Sequence, residues 1–159
     1  MADLVNVPFD EIEVGMTAEY EKHITERDIT LFAILSGDTN PLHLDAEYAK
    51  TTQFGGCIAH GAICAVIVSA AVATTIPGPG SVYAGQEMRF KKPVRAGDTL
   101  TTHLKVIEKK RRGNIVLLEN KIVNQDGVTV FLGVSTVVAP SEKMTAPPAK
   151  LPEVELIYS

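Results

Sequence analysis

Cysteine is scarce in this chain: there are two, Cys57 and Cys64, with no Cys-x-x-Cys spacing and no histidine cluster beside them. That pattern builds neither a disulfide framework nor a zinc site, and it fits a reducing, cytoplasmic setting. Positive charge is not in excess, because the net charge of -4 argues against a protein that coats nucleic acid. The opening residues, MADLVNVPFDEIEVGMTAEY, are acidic and broken by Pro8 and Gly15. They lack the basic start and apolar core of an export signal. The longest uncharged apolar stretch, Gly61–Ile76 (GAICAVIVSAAVATTI), falls short of the roughly 20 residues that a membrane span needs. With His60 before it and PGPG after it, this stretch reads as a buried core helix, and no membrane association is expected. GGCIAHG has the spacing of neither nucleotide-binding glycine fingerprint, and the histidines at 23, 43, 60 and 103 make no metal-ligand spacing. No metal and no cofactor are expected, and there are no internal repeats.

What is present is an ordinary globular balance, 45% hydrophobic and 21% charged over 159 residues, enough for one domain, 1–159, with a real core. Thr17–Ile24 alternates as a first strand. Thr25 offers an N-cap, and Ile29, Phe32, Ala33 and Leu35 follow at helical spacing until Gly37 stops the run. DAEYAK reads as a short helix capped by Asp45. The stretch from Gly61 is apolar all round, so as a helix it must be surrounded on most sides. Val82–Phe90, Thr99–Glu108, Ile115–Asn124 and Val128–Val138 read as the strands that wrap it. In Thr99–Ile107, Leu100, Thr102, Leu104 and Val106 share one face, which leaves His103 on the solvent side. The order is α+β, an antiparallel sheet on one long central helix, with a tail from 140 to 159 lying over the surface. A sheet curled around a helix leaves open edges, and edge-to-edge pairing of two copies covers them, so a homodimer or higher homo-oligomer is expected.

The stretch SGDTNPLH, Ser36–His43, is dense in turn residues, and turn chemistry explains Gly37, Asn40 and Pro41. Asp38 and His43 on one turn can also aim at a common point, and a carboxylate with an imidazole suffices for acid and base work near neutral pH. On these two residues alone both readings stand, since Asp38 can simply cap the turn and His43 can be a satisfied buried histidine.

The wider window FAILSGDTNPLHLDAEYA resembles the signature of the hydratase 2 or MaoC-like family of (R)-specific enoyl-CoA hydratases, through Phe32, Ser36, Gly37, Asp38, Asn40, Pro41, Leu42, His43 and Ala49. AHGAICAVIVSA is similar to the family's His-Gly entry into its central helix, and RFKKPVRAGDTL to its strand and Pro-Val-x-x-Gly-Asp turn. The resemblance covers roughly residues 7–139, the expected core, and implies a hot-dog fold of the kind that feeds polyhydroxyalkanoate synthesis. It implies that Asp38 and His43 activate a water that adds to C3 of a trans-2-enoyl-CoA, and that the Gly61 backbone N–H receives the charge developing on the thioester oxygen. Gly61 at the amino end of the apolar helix suits that role electrostatically. It also implies that Ser69 lines the pocket, where back-bonding to the preceding turn is the ordinary account of a helical serine. Asn40 is expected to orient the turn, and His60 to be structural.

An acyl-CoA partner brings phosphates, so basic residues are needed at the mouth. Arg89, Lys91, Lys92 and Arg95 form one cluster and Lys109–Arg112 (KKRR) another, and the sequence does not choose between them. Two other readings share the fold: a dehydratase acting on acyl-carrier-protein thioesters, for which KKRR would be a docking patch, and a non-catalytic acyl-thioester-binding subunit.

Overall fold

The alternation of Thr99–Ile107 is realised as an inner strand of a curled sheet in a computed structural model of the chain, which describes residues 2–158. The elements run β1 (Leu4–Val5), β2 (Thr17–His23), α1 (Glu26–Ser36), α2 (Pro41–Leu44), α3 (Ala46–Lys50), α4 (Ile63–Thr74), β3 (Val82–Phe90), β4 (Thr99–Lys110), β5 (Ile115–Val123), β6 (Thr129–Val138) and β7 (Thr145–Ala146). Five strands form one antiparallel sheet in the order β2-β4-β5-β6-β3, so β2 and β3 are its edges.

Helix α4 lies on the concave face of this sheet. It buries Ile63, Cys64, Ile67, Val68, Ala71 and Val72 against Leu100, Leu104, Val106, Val116, Leu118, Ile122, Phe131 and Val137. The helix is shorter than the apolar run that encodes it: it begins at Ile63 and ends at Thr74. At its end the Thr74 and Thr75 hydroxyls bond Ala70 O at 2.8 Å and Ala71 O at 2.6 Å, and Thr75 leaves helical angles ahead of Pro77. Nor is it surrounded: Ala62, Val66 and Ala73 are exposed and fall along one stripe, with Val66 53% accessible. An all-apolar segment has no polar face to announce which side stays uncovered.

Helix α1 starts as expected. Thr25 Oγ1 accepts from the Asp28 N–H at 3.1 Å and the Asp28 carboxylate accepts from the Thr25 N–H at 2.9 Å, a complete capping box. Burial works against the charged Asp28 carboxyl, but the Thr25 N–H and hydroxyl and the Lys22 ammonium at 3.0 Å hold it below the ordinary carboxylate range. The helix ends at Gly37, whose φ of 74° is the left-handed conformation glycine adopts without strain.

The tail does not simply cover the surface. Thr145 and Ala146 pair with Val5 and Leu4 as a small second sheet, and the Arg27 guanidinium bonds the carbonyl of Val154. No helix among the described residues is long and apolar enough to cross a membrane.

Candidate active site

The turn between α1 and α2 serves its own backbone and the space in front of it at once. Ser36 Oγ accepts from the Asp38 N–H at 3.2 Å, Asp38 Oδ1 accepts from the Asn40 N–H at 3.1 Å, and Asn40 Oδ1 caps α2 by accepting from the Leu42 N–H at 3.1 Å. Pro41 takes the first helical position, where a missing N–H costs nothing. The two readings of Asp38 therefore coexist: Oδ1 holds the turn while Oδ2 lies 3.9 Å from Nε2 of both His43 and His60.

The histidine tautomers follow from their partners. His43 Nδ1 lies 2.7 Å from the Ile58 carbonyl, and His60 Nε2 lies 3.2 Å from the Asp38 carbonyl. A carbonyl only accepts, so each of these nitrogens carries its proton. Neutral His43 consequently has its lone pair on Nε2, the atom that faces Asp38 Oδ2. The two imidazoles stack, with centroids 3.8 Å apart and planes at 30°, and Phe32 packs on His60 at 4.8 Å. Burial pushes the His60 pKa down, against the pull of the Asp38 carbonyl. The three residues bring ligand atoms within 4.8 Å of one another, with His60 Nε2 engaged as a donor to the Asp38 carbonyl.

His43, His60 and Gly61 border a cavity of about 300 Å³ whose walls include Phe54, Ile58, Cys64, Phe90, Val94 and Val130, with Lys91 and Lys92 at its rim. Among the described residues the Gly61 and Ala62 N–H groups donate to no protein acceptor, which leaves two donors free just before α4. The Phe90 ring packs against Gly61, 3.3 Å from where a Cβ would stand.

Other expected site residues lie elsewhere. Asn40 is confined to capping and does not line the cavity. Ser69 is half-buried on α4, lines neither this cavity nor a second one that His43 also borders, and its hydroxyl makes no hydrogen bond among the described residues. Arg89 is inside β3, paired with Leu132, and lines a concavity on the outer face of the sheet with Glu87 and Lys121. The strand ends at Phe90, so Lys91 and Lys92 escape its alternation and reach the rim. Arg95 is engaged by the chain itself: it bonds the carbonyls of Phe54 and Cys57 and clamps the loop leading into Ile58–Gly61. His60, expected to be structural, is only 3% exposed and touches both members of the pair. Its signal was a polar side chain at the mouth of an otherwise apolar run.

Residues 9–126 match the MaoC like domain family. The chain belongs to that family. The MaoC-like chain is 48% identical over 104 residues to the (R)-specific enoyl-CoA hydratase of Rhodospirillum rubrum, covering 65% of the chain and 72% of that protein. It is 37% identical over 129 residues to the protein of the same name from Aeromonas caviae, covering 81% and 96%. The solved structure of R-hydratase PhaJ1 from Pseudomonas aeruginosa in the unliganded form superposes with a TM-score of 0.92 at 46% identity, covering 98% and 99%. The MaoC-like architecture, a sheet curled around α4, is the hot-dog fold.

Proposed function

We propose that the chain is an (R)-specific enoyl-CoA hydratase, one catalytic unit over its whole length, in which Asp38 and His43 hold and activate one water. The observation that carries the reading is the 3.9 Å separation of Asp38 Oδ2 and His43 Nε2. A water placed about 2.8 Å from each subtends roughly a right angle between them, so both of its hydrogens have acceptors. His43 Nε2 takes one proton as the water oxygen bonds to C3 of the trans-2-enoyl thioester. The electron pair of the double bond moves toward the carbonyl oxygen, where the free Gly61 N–H lowers the energy of the developing enolate. His43, now protonated, delivers the same proton to C2, and the thioester carbonyl re-forms. The sum is H and OH across one double bond, with no cofactor required. The (R) face of attack rests on the named activity of the relatives.

The apolar cavity suits the acyl part of the substrate, with Ser69 proposed as a contact further along α4. Lys91 and its neighbour Lys92 suit the phosphates of coenzyme A, with Arg89, which lines a concavity on the outer face of the sheet, less well placed. The second basic cluster is largely engaged within the chain. The Lys109 ammonium donates to the Phe9 and Ile12 carbonyls at 2.7 and 2.6 Å, Lys110 pairs with Glu108 at 3.4 Å, and Arg111 pairs with Asp10 at 3.3 Å. That weighs against a carrier-protein dock there and favours CoA over acyl-carrier-protein thioesters.

We further propose a homodimer formed through β3 and the open stripe of α4. The β3 edge exposes the large apolar side chains Val82, Met88 and Phe90 beside the charged Glu87 and Arg89, whereas the exposed residues of the β2 edge are Thr17, Glu19, Glu21 and His23. Both edges carry charge, which blunts pairing, but only β3 adds exposed large apolar side chains that a second copy would bury. Free Cys57 and Cys64 support a reducing cytoplasm, where the step can supply polyester precursors. The test is the fall in enoyl absorbance when the full chain meets crotonyl-CoA, with the product resolved by an (R)-specific dehydrogenase. Turnover to (R)-3-hydroxybutyryl-CoA is expected; (S)-product, or no turnover across short and long enoyl-CoA substrates, rejects the proposal.

A further inference from the structure

The proposed reaction gives His60 no part, yet this buried side chain touches both groups that perform it. Its Nε2–H donates to the Asp38 carbonyl at 3.2 Å, and its ring lies 3.8 Å from that of His43. With Nε2 protonated, a neutral ring carries its lone pair on Nδ1, and Nδ1 is buried with no hydrogen-bond partner among the described residues. Phe32 closes the ring in from one side, and His60 has the lower exposure of the two histidines, 3% against 10% for the His43 side chain. Each contact has a distinct consequence. The bond to the Asp38 carbonyl fixes the main chain from which Oδ2 is presented. The stacked ring restricts rotation of His43 and keeps its Nδ1 on Ile58 and its Nε2 toward Asp38. A second proton on His60 would sit on the orphaned Nδ1, in the interior and beside His43, with no acceptor to receive it. His60 therefore stays a neutral plate while His43 takes up and returns the substrate's proton.

We propose that His60 is a positioning residue for the Asp38–His43 pair, holding the aspartate main chain through Nε2 and the His43 ring through stacking. Its effect on turnover rests on the hydratase reading, whereas its effect on His43 does not. His60→Gln keeps a planar group with an N–H near the place of Nε2. His60→Phe keeps an aromatic ring and loses the donor. If His60 positions the pair, kcat on crotonyl-CoA falls in the order wild type, Gln, Phe, with Phe down about a hundredfold and KM within about threefold, because small misplacement of reacting groups acts on the chemical step. If His60 only fills space, Phe outperforms Gln in both kcat and thermal stability, and the proposal is overturned.

An independent readout uses the ring ¹⁵N signals of His43 in the full-length protein. They should report Nδ1–H and a bare Nε2 in wild type and in His60→Gln, and a mixture of tautomers in His60→Phe. Unchanged His43 signals in His60→Phe overturn the proposal even if activity drops. A wild type that hydrates no enoyl-CoA defeats the hydratase reading, and the ¹⁵N comparison then decides the role of His60 by itself.

Discussion

Adding one methyl group at Gly61 separates the role of this glycine in the fold from its role toward substrate. In Gly61→Ala the new Cβ stands 3.3 Å from Phe90 Cε1 and 3.4 Å from two further ring atoms. The Phe90 ring is 53% exposed and can yield by a few tenths of an ångström, and the φ of Gly61 lies outside the left-handed region, so the backbone accepts alanine. Loss of unfolded-state freedom returns about 0.4 to 1 kcal/mol, which offsets most of the crowding. Net stability should stay within about 1 kcal/mol of wild type, a shift in Tm of no more than about 2 to 4 °C. Activity should behave differently, because the methyl stands where the thioester oxygen must approach the Gly61 N–H. Displacement of about 1 Å at a reacting centre costs about a hundredfold, or about 2.7 kcal/mol in kcat/KM. Thermal denaturation and crotonyl-CoA kinetics on the same preparation read both quantities. Gly133→Ala is the contrast: its Cβ would overlap the Glu87 carbonyl, a backbone clash away from the cavity, so it should lose stability first. A Gly61→Ala protein with kcat/KM within about twofold of wild type refutes the oxyanion assignment of Gly61.

Two further outcomes follow from groups whose protonation the fold alters. Asp28 titrates below its unfolded value of about 3.8, so the folded state binds fewer protons in that window. Its contribution is present above pH 4 and is lost as pH falls through the lower, folded value. Asp28→Asn should flatten this acid limb in urea denaturation, and Thr25→Ala should cost about 1 kcal/mol at pH 7; a limb unchanged in Asp28→Asn would contradict the assignment. Burial pushes the Cys64 thiol up to about 11, while Cys57 is only half-buried. Thiol titration of the native protein at pH 8 should therefore label Cys57 alone, and rapid labelling of Cys64 would mean that the core opens.

Much of this architecture was legible in the chain because local chemistry and tertiary position agree. Val82–Phe90 was bounded correctly, and β4, β5 and β6 to within two residues, because alternation and turn residues mark both ends of each strand. Thr25, Gly37 and Asp45 announced their caps by residue type. Asp38 and His43 drew attention through the resemblance of the window around them to the MaoC-like signature, because on the two residues alone the turn-capping and chemical readings both stand. The contacts of His60 were not legible, since they come from a ring stacked across the chain and from a carbonyl 22 residues away. The open face of α4 was hidden for the opposite reason, a segment with no polar stripe to give it direction. Clustering of basic residues did not choose between the two groups, because Arg95 and Lys109 spend their donors on carbonyls of their own chain, which no local pattern reveals.

Whether Asp38 and His43 act on one water is read most directly from the kcat of Asp38→Asn, His43→Gln and the double variant on crotonyl-CoA. Two groups holding one water act as a unit, so each single substitution should remove about 10³-fold or more, and the second should add less than about tenfold. Losses that multiply in full in the double variant, or a single variant that keeps a tenth or more of wild-type kcat, would contradict the shared water.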